Sequence, residues 1–147
     1  MLQKKASTYI QSLIHLFYPK ICAACHESLL NQEHIICTLC EAKLPFTNFH
    51  KLKSNPLHKK FWGRIEIEFI DSLLFFEKDS STQHILHKLK YDNRQDIGEK
   101  LAELTIQRYE KDKISQPFQA IISIPIHDKK RKRRGYNQCD SFARKLS

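Results

Sequence analysis

Glycine is scarce in this chain, with three residues in 147: Gly63, Gly98 and Gly135. Walker loops and dinucleotide fingerprints cluster glycines so that backbone can approach phosphate, so three isolated ones exclude both. Long apolar runs are also missing, and nothing approaches the roughly 20 residues that cross a bilayer. The stretch "KKASTYIQSLIHLFYPK" has two lysines and an apolar centre, as a signal peptide does. Gln11, Ser12 and His15 interrupt that centre, however, and no small-residue cleavage site follows. It reads instead as an amphipathic helix with Ile10, Leu13, Ile14 and Phe17 on one face, ended by Pro19. Acidic residues are few beside the basic ones, 16 against 25 Lys and Arg, and no two of them are adjacent.

What the chain does have is cysteine in a pattern. "CAACHESLLNQEHIICTLC" carries Cys22, Cys25, Cys37 and Cys40 as C-x2-C-x11-C-x2-C, two short hooks able to present four sulfurs tetrahedrally to one Zn²⁺. So short a stretch cannot bury enough apolar surface to hold itself folded, and metal–thiolate bonds supply what a core cannot. A redox pair would want one C-x-x-C beside a βαβ pattern, and a disulfide scaffold would want an export signal. The reading is therefore structural zinc in a reducing compartment, the cytoplasm. His26 and His34 lie close by, but four cysteines already fill the tetrahedron. Gly is expected after the second cysteine of such a hook, to allow a tight turn, and here the residue is His26.

Two units are expected: 1–50, a helix and a four-cysteine zinc ribbon, and 61–147, separated by the basic, Pro-containing "TNFHKLKSNPLHKK". In the second unit Ile65, Ile67 and Phe69 alternate with charged residues as in a half-buried strand. Leu73 to Phe76 reads as its hairpin partner across Asp71 and Ser72. Helical spacing follows at Ile85, Leu86 and Leu89 and at Ile97, Leu101 and Leu104, with Asp96 and Glu99 resembling a capping box. Ala120 to Ile124 is a continuous β-branched run ended by Pro125, as in a strand buried on both faces of a parallel sheet. Cys139, Phe142, Ala143 and Leu146 then mark a last amphipathic helix.

Between that strand and that helix lies "PIHDKKRKRRGYNQ", whose run Lys129 to Arg134 supplies much of the formal net charge of +9. A loop at the carboxyl end of a strand is where open α/β sheets bind ligands. Arginines there can grip phosphate oxygens, and Gly135 allows close backbone approach. Three readings stand side by side: a solvated charge run, a small-phosphate site and a nonspecific nucleic-acid contact.

"LFYPKICAAC", "ICTLCEAKLP", "FWGRIEIE", "LHKLKYDNRQDIG" and above all "IISIPIHDKKRKRRGYNQ" occur in an order that resembles the ComF family. These are bacterial proteins that join a zinc ribbon to a phosphoribosyltransferase-like domain and are associated with DNA uptake in natural competence. The resemblance implies an α/β fold, a zinc ribbon joined to a type I phosphoribosyltransferase-like parallel sheet. In it Pro125 to His127 would face the pyrophosphate of phosphoribosyl pyrophosphate, with Arg131, Arg134, Gly135, Asn137 and Gln138 completing a phosphate site. Lys90 and Tyr91 match the family's "LKY" without an assigned role. The later loop of adjacent acids that binds ribose 5-phosphate is lacking, so the chain reads as a fragment that stops short of it, and catalysis is not expected of it alone. The implied partners are single-stranded DNA and a competence helicase, with phosphoribosyl pyrophosphate for a full-length form. An exposed sheet edge would also invite self-association.

Overall fold

The computed structural model describes residues 19–114 and 118–147; the expected helix over Ile10 to Phe17 lies outside them. The elements in chain order are α1 (Thr38–Ala42), a 3-10 turn (Phe49–Lys51), α2 (His58–Phe61), α3 (Ser81–Tyr91), α4 (Asp96–Lys111), α5 (Asp128–Arg134) and α6 (Gln138–Leu146). Among the described residues there is no strand and hence no sheet. The expected α/β architecture with a parallel phosphoribosyltransferase-like sheet is replaced by a helical one, and a sheet edge for self-association is likewise absent there.

Three runs expected as strands meet different fates. Leu73 and Leu74 find a partner, but it is the segment after α1: Phe46 bridges Leu74, the Phe75 amide donates to Pro45 O at 2.8 Å and the Thr47 amide to Leu73 O at 3.2 Å. That pairing removes Leu73 to Phe76 from any hairpin with 65–69. Ile65 is left 59 % exposed, and the chain beyond it is held at Ile70 O by the amide of buried Asn55 at 2.7 Å. Ala120 to Ile124 is not buried on either face, with Ile122 87 % and Ile124 76 % exposed. A parallel strand needs a neighbour's N–H and C=O groups along its edges and helices over both faces. Here only side chains reach this segment: Asn137 Nδ2 donates to Ile124 O at 2.9 Å and Ser123 Oγ to Asp140 Oδ1 at 2.6 Å.

The helical periodicity translates directly into packing. Ile85 and Leu89 of α3 and Ile97, Leu101 and Leu104 of α4 are buried, and a fully buried Ile such as Ile85 is worth about 1.5–3 kcal/mol. Ser80 caps α3 by accepting from the Gln83 amide at 3.3 Å, while the box expected at Asp96 does not form: the N-cap is Gln95, and Asp96, already inside the helix, accepts from Arg94 at 2.7 Å. His50, buried in the 3-10 turn, binds Asp112 past the end of α4 through Nε2 at 2.8 Å, and Tyr109 Oη donates to Asp71 Oδ2 at 3.0 Å. These bonds pin the 47–72 segment along α4. On α6 the inward residue is Ser141 with Phe142 beside it, and Cys139 is exposed rather than packed.

Gly98 is what lets α6 lie against α4. A β-carbon there would overlap Ser141 Oγ and come within 3.3 Å of the Phe142 amide nitrogen. Gly98→Ala should therefore destabilise the chain by about 1–3 kcal/mol in chemical denaturation. Ser141→Ala alone should cost little, because its buried hydroxyl has no hydrogen-bond partner among the described residues. The double substitution should recover part of the loss, and a double variant no more stable than Gly98→Ala would place the clash elsewhere.

Candidate metal centre and basic helix

The two cysteine hooks are built differently. In the first, the Cys22 amide donates to Glu27 O at 2.8 Å and the His26 amide to Cys22 O at 3.2 Å, folding Cys22 to Cys25 into a turn. In the second, Cys37 is the N-cap of α1 and its sulfur accepts from the Cys40 amide at 3.4 Å. An antiparallel bridge between Ile21 and Ser28 closes the first hook, and an Ala23 N to Ile35 O bond of 2.8 Å with a Cys37 N to Cys22 Sγ bond of 3.3 Å holds it against the second.

The outcome is that the sulfurs of Cys22, Cys25, Cys37 and Cys40 all lie within 4.8 Å of one another. Four sulfurs bound to one ion at about 2.3 Å stand about 3.8 Å apart at the corners of a tetrahedron. Cys25 and Cys37 are separated by 3.9 Å, and all five cysteines of the chain are free thiols. Burial pushes the Cys22 thiol up, but the amides of Cys25, Cys37 and Ala24 outweigh it and bring the thiol down to about 7. Cys40 is driven the other way, by burial first and then by the neighbouring sulfurs. Sulfurs this close cannot all ionise beside one another without a cation among them, so the donor set, spacing and amide bonds fit a site that could hold a metal ion.

Two residues that cysteine spacing does not flag brace the site. Glu33 accepts from the Thr38 amide at 2.7 Å, the Thr38 hydroxyl at 2.8 Å and the Leu30 amide at 3.0 Å, bonds that hold its carboxyl below the usual range. It thereby fixes the start of α1, and an acid shortly before a helix start is the signal that could have found it. His84 of α3 bonds Ala24 O through Nδ1 at 2.9 Å and stacks on His26 at 4.9 Å between centroids. His26 itself sits in the left-handed region at φ 68, in the place where a glycine is expected. Cys22, Ala23 and Ala24 are buried in the same cluster as Ile85, Leu89 and Ile97, so the hooks and the long helices share one core.

The basic run forms helix α5 rather than a loop. His127 caps it by accepting from the Lys129 amide at 3.2 Å, and Gly135 ends it at φ 79, its amide donating to Arg131 O at 2.7 Å. Lys129 to Arg133 are exposed and Arg134 is half-buried. The residues expected to form a phosphate site take local structural roles: Pro125 is exposed, His127 and Asn137 are helix caps, and Arg131 is exposed on α5. Gln138 accepts from Arg134 Nη1 at 2.7 Å, and Gly135 serves the turn. Arg134 lines a cavity of about 320 Å³ with Lys90, Tyr91, Asn93 and Arg133. No described helix is long and apolar enough to cross a membrane. Compared with protein-family models, curated proteins and solved structures, the chain matches none.

Titration of the reduced chain with Co²⁺ should saturate at about one ion per chain with intense sulfur-to-metal charge-transfer bands, and Cys37→Ser should abolish them. Because the hooks share the core, chelation should also lower the melting temperature; an unchanged melt would separate metal from fold. His26→Gly should raise stability by up to about 1 kcal/mol by relieving the left-handed backbone, less whatever the His84 contact contributes. A variant less stable than the parent would show the ring contact to be the larger effect.

Proposed function

We propose that this chain is a zinc-organised, polyanion-binding protein acting as a ComF-like accessory of DNA uptake, which contacts single-stranded DNA beside a translocating helicase in the cytoplasm. Zinc is the ion of choice for a closed set of four thiolates that needs neither redox change nor an open coordination position. Its role is structural: it holds the hooks against α3 and α4.

The observation that carries the binding role is α5, a helix of consecutive cations whose Lys129 to Arg133 all reach solvent. Like charges one turn apart on a helix repel, by about 0.2–0.5 kcal/mol per pair, and a polyanion laid along α5 removes that repulsion. Release of condensed counterions adds the main driving force for such binding. Phosphoribosyl transfer is not part of this proposal, because its phosphate loops would hang from the carboxyl edge of a sheet, and no sheet occurs among the described residues.

Binding of a single-stranded oligonucleotide, measured across a salt series, should weaken steeply as salt rises. Replacing Arg131, Arg133 and Arg134 together by Ala should reduce the log–log slope by about 2, at about 0.7 per phosphate contact on a single strand. An unchanged slope would remove nucleic acid from the account.

A further inference from the structure

Lys90 and Tyr91 end α3, more than forty residues before Arg133 and Arg134 end α5, yet the four line one cavity of about 320 Å³ with Asn93. Tyr136 brings them together. It is buried just after α5, and its hydroxyl donates to Leu89 O, one of the carbonyls in the last turn of α3 that lack a helical partner. Arg134 is held in place, with Nη1 on Gln138 Oε1 at 2.7 Å and its guanidinium carbon 5.2 Å from the Tyr91 ring centroid.

The cavity's chemistry is one-sided. Its lining holds an ammonium, two guanidiniums, a phenol and an amide, with no carboxylate. Among the described residues none of Lys90, Arg133 and Arg134 is in an ion pair, while nearby Asp96 is already engaged by Arg94 at 2.7 Å. Asp92, at the end of α3, is the other acid close by. Tyr91 is 54 % exposed as a residue, with the His87 ring one turn back at 4.7 Å between centroids. The volume is at the small end for ligand pockets.

The geometry points to a site for one nucleotide unit of a single strand, with the phosphodiester between Lys90 and Arg133 and the base against Tyr91. This rests on the polyanion-binding reading and gives it a position on the molecule. A base inside a duplex already has both faces covered, so an exposed aromatic beside cations selects an unstacked one. Arg134, fixed by Gln138, keeps the ring and the cations in register.

The test uses the metal-loaded full chain with fluorescein-labelled (dT)10, read by anisotropy, and inorganic polyphosphate of matched charge as a competitor without bases. Tyr91→Ala should weaken (dT)10 binding about tenfold and leave polyphosphate binding nearly unchanged, while Tyr91→Phe, which keeps the ring, should retain most of the affinity. Lys90→Ala should weaken both ligands and lower the (dT)10 salt slope by about 0.7. Circular dichroism of each variant controls for folding. Equal loss on both ligands in Tyr91→Ala would overturn the base contact. If the Lys90 and Tyr91 variants bind (dT)10 like the parent while the triple arginine variant is weakened, the pocket is wrong and α5 still binds polyanions. If the triple variant is also unchanged, both proposals fall.

Discussion

The turn from Cys22 to Cys25 belongs to two structures at once, and the rest of the molecule depends on that double membership. Cys22 and Cys25 contribute sulfurs to the four-cysteine cluster, while Cys22, Ala23 and Ala24 are buried with Ile85, Leu89 and Ile97. His84 ties the two by bonding Ala24 O from within α3. An ion held by the four sulfurs would therefore be thermodynamically linked to helix packing: what orders the hooks also seats α3, and what seats α3 places α4 and the segment pinned along it.

A second coupling runs through charge. Helix α5 is short and carries like charges on successive turns, so its own side chains oppose it. It survives because its ends are fixed by His127, by Gly135 in the left-handed region and by buried Tyr136 against the last turn of α3. Its cationic carboxyl end also matches the negative end of the helix dipole. The helix is thus held from outside itself, which is the condition under which repelling side chains can stay clustered for a ligand.

How much of this could be read from sequence depended on whether a feature was local. The cysteine spacing foretold the sulfur cluster because two short hooks need only one cross-connection to meet. The periodicity of Ile85 to Leu89 and of Ile97 to Leu104 foretold buried faces for the same reason. The strands failed because an apolar β-branched run states a preference, and pairing needs a partner elsewhere in the chain. Leu73 and Leu74 found theirs in Pro45 to Thr47, and Ile121 to Ile124 found none among the described residues. Asp96 and Glu99 have the spacing of a capping box, but the helix begins one residue earlier than that box requires, with Gln95 as its N-cap and Asp96 bonded to Arg94. The meeting of Lys90 and Tyr91 with Arg133 and Arg134 was invisible in sequence, since it hangs on one phenol hydroxyl crossing from Tyr136 to Leu89.

The bare isoleucines ahead of α5 give its cations a second consequence, independent of any ligand. Ile121, Ile122 and Ile124 are exposed β-branched residues in a segment outside any helix or strand, the composition through which unpaired chains tend to associate. Six consecutive positive residues begin within a few positions of it, and two chains approaching through their isoleucines must bring those charges together. Colloidal behaviour is thereby tied to ionic strength: a medium that shortens the Debye length to about 3 Å screens those charges and leaves the isoleucines unopposed.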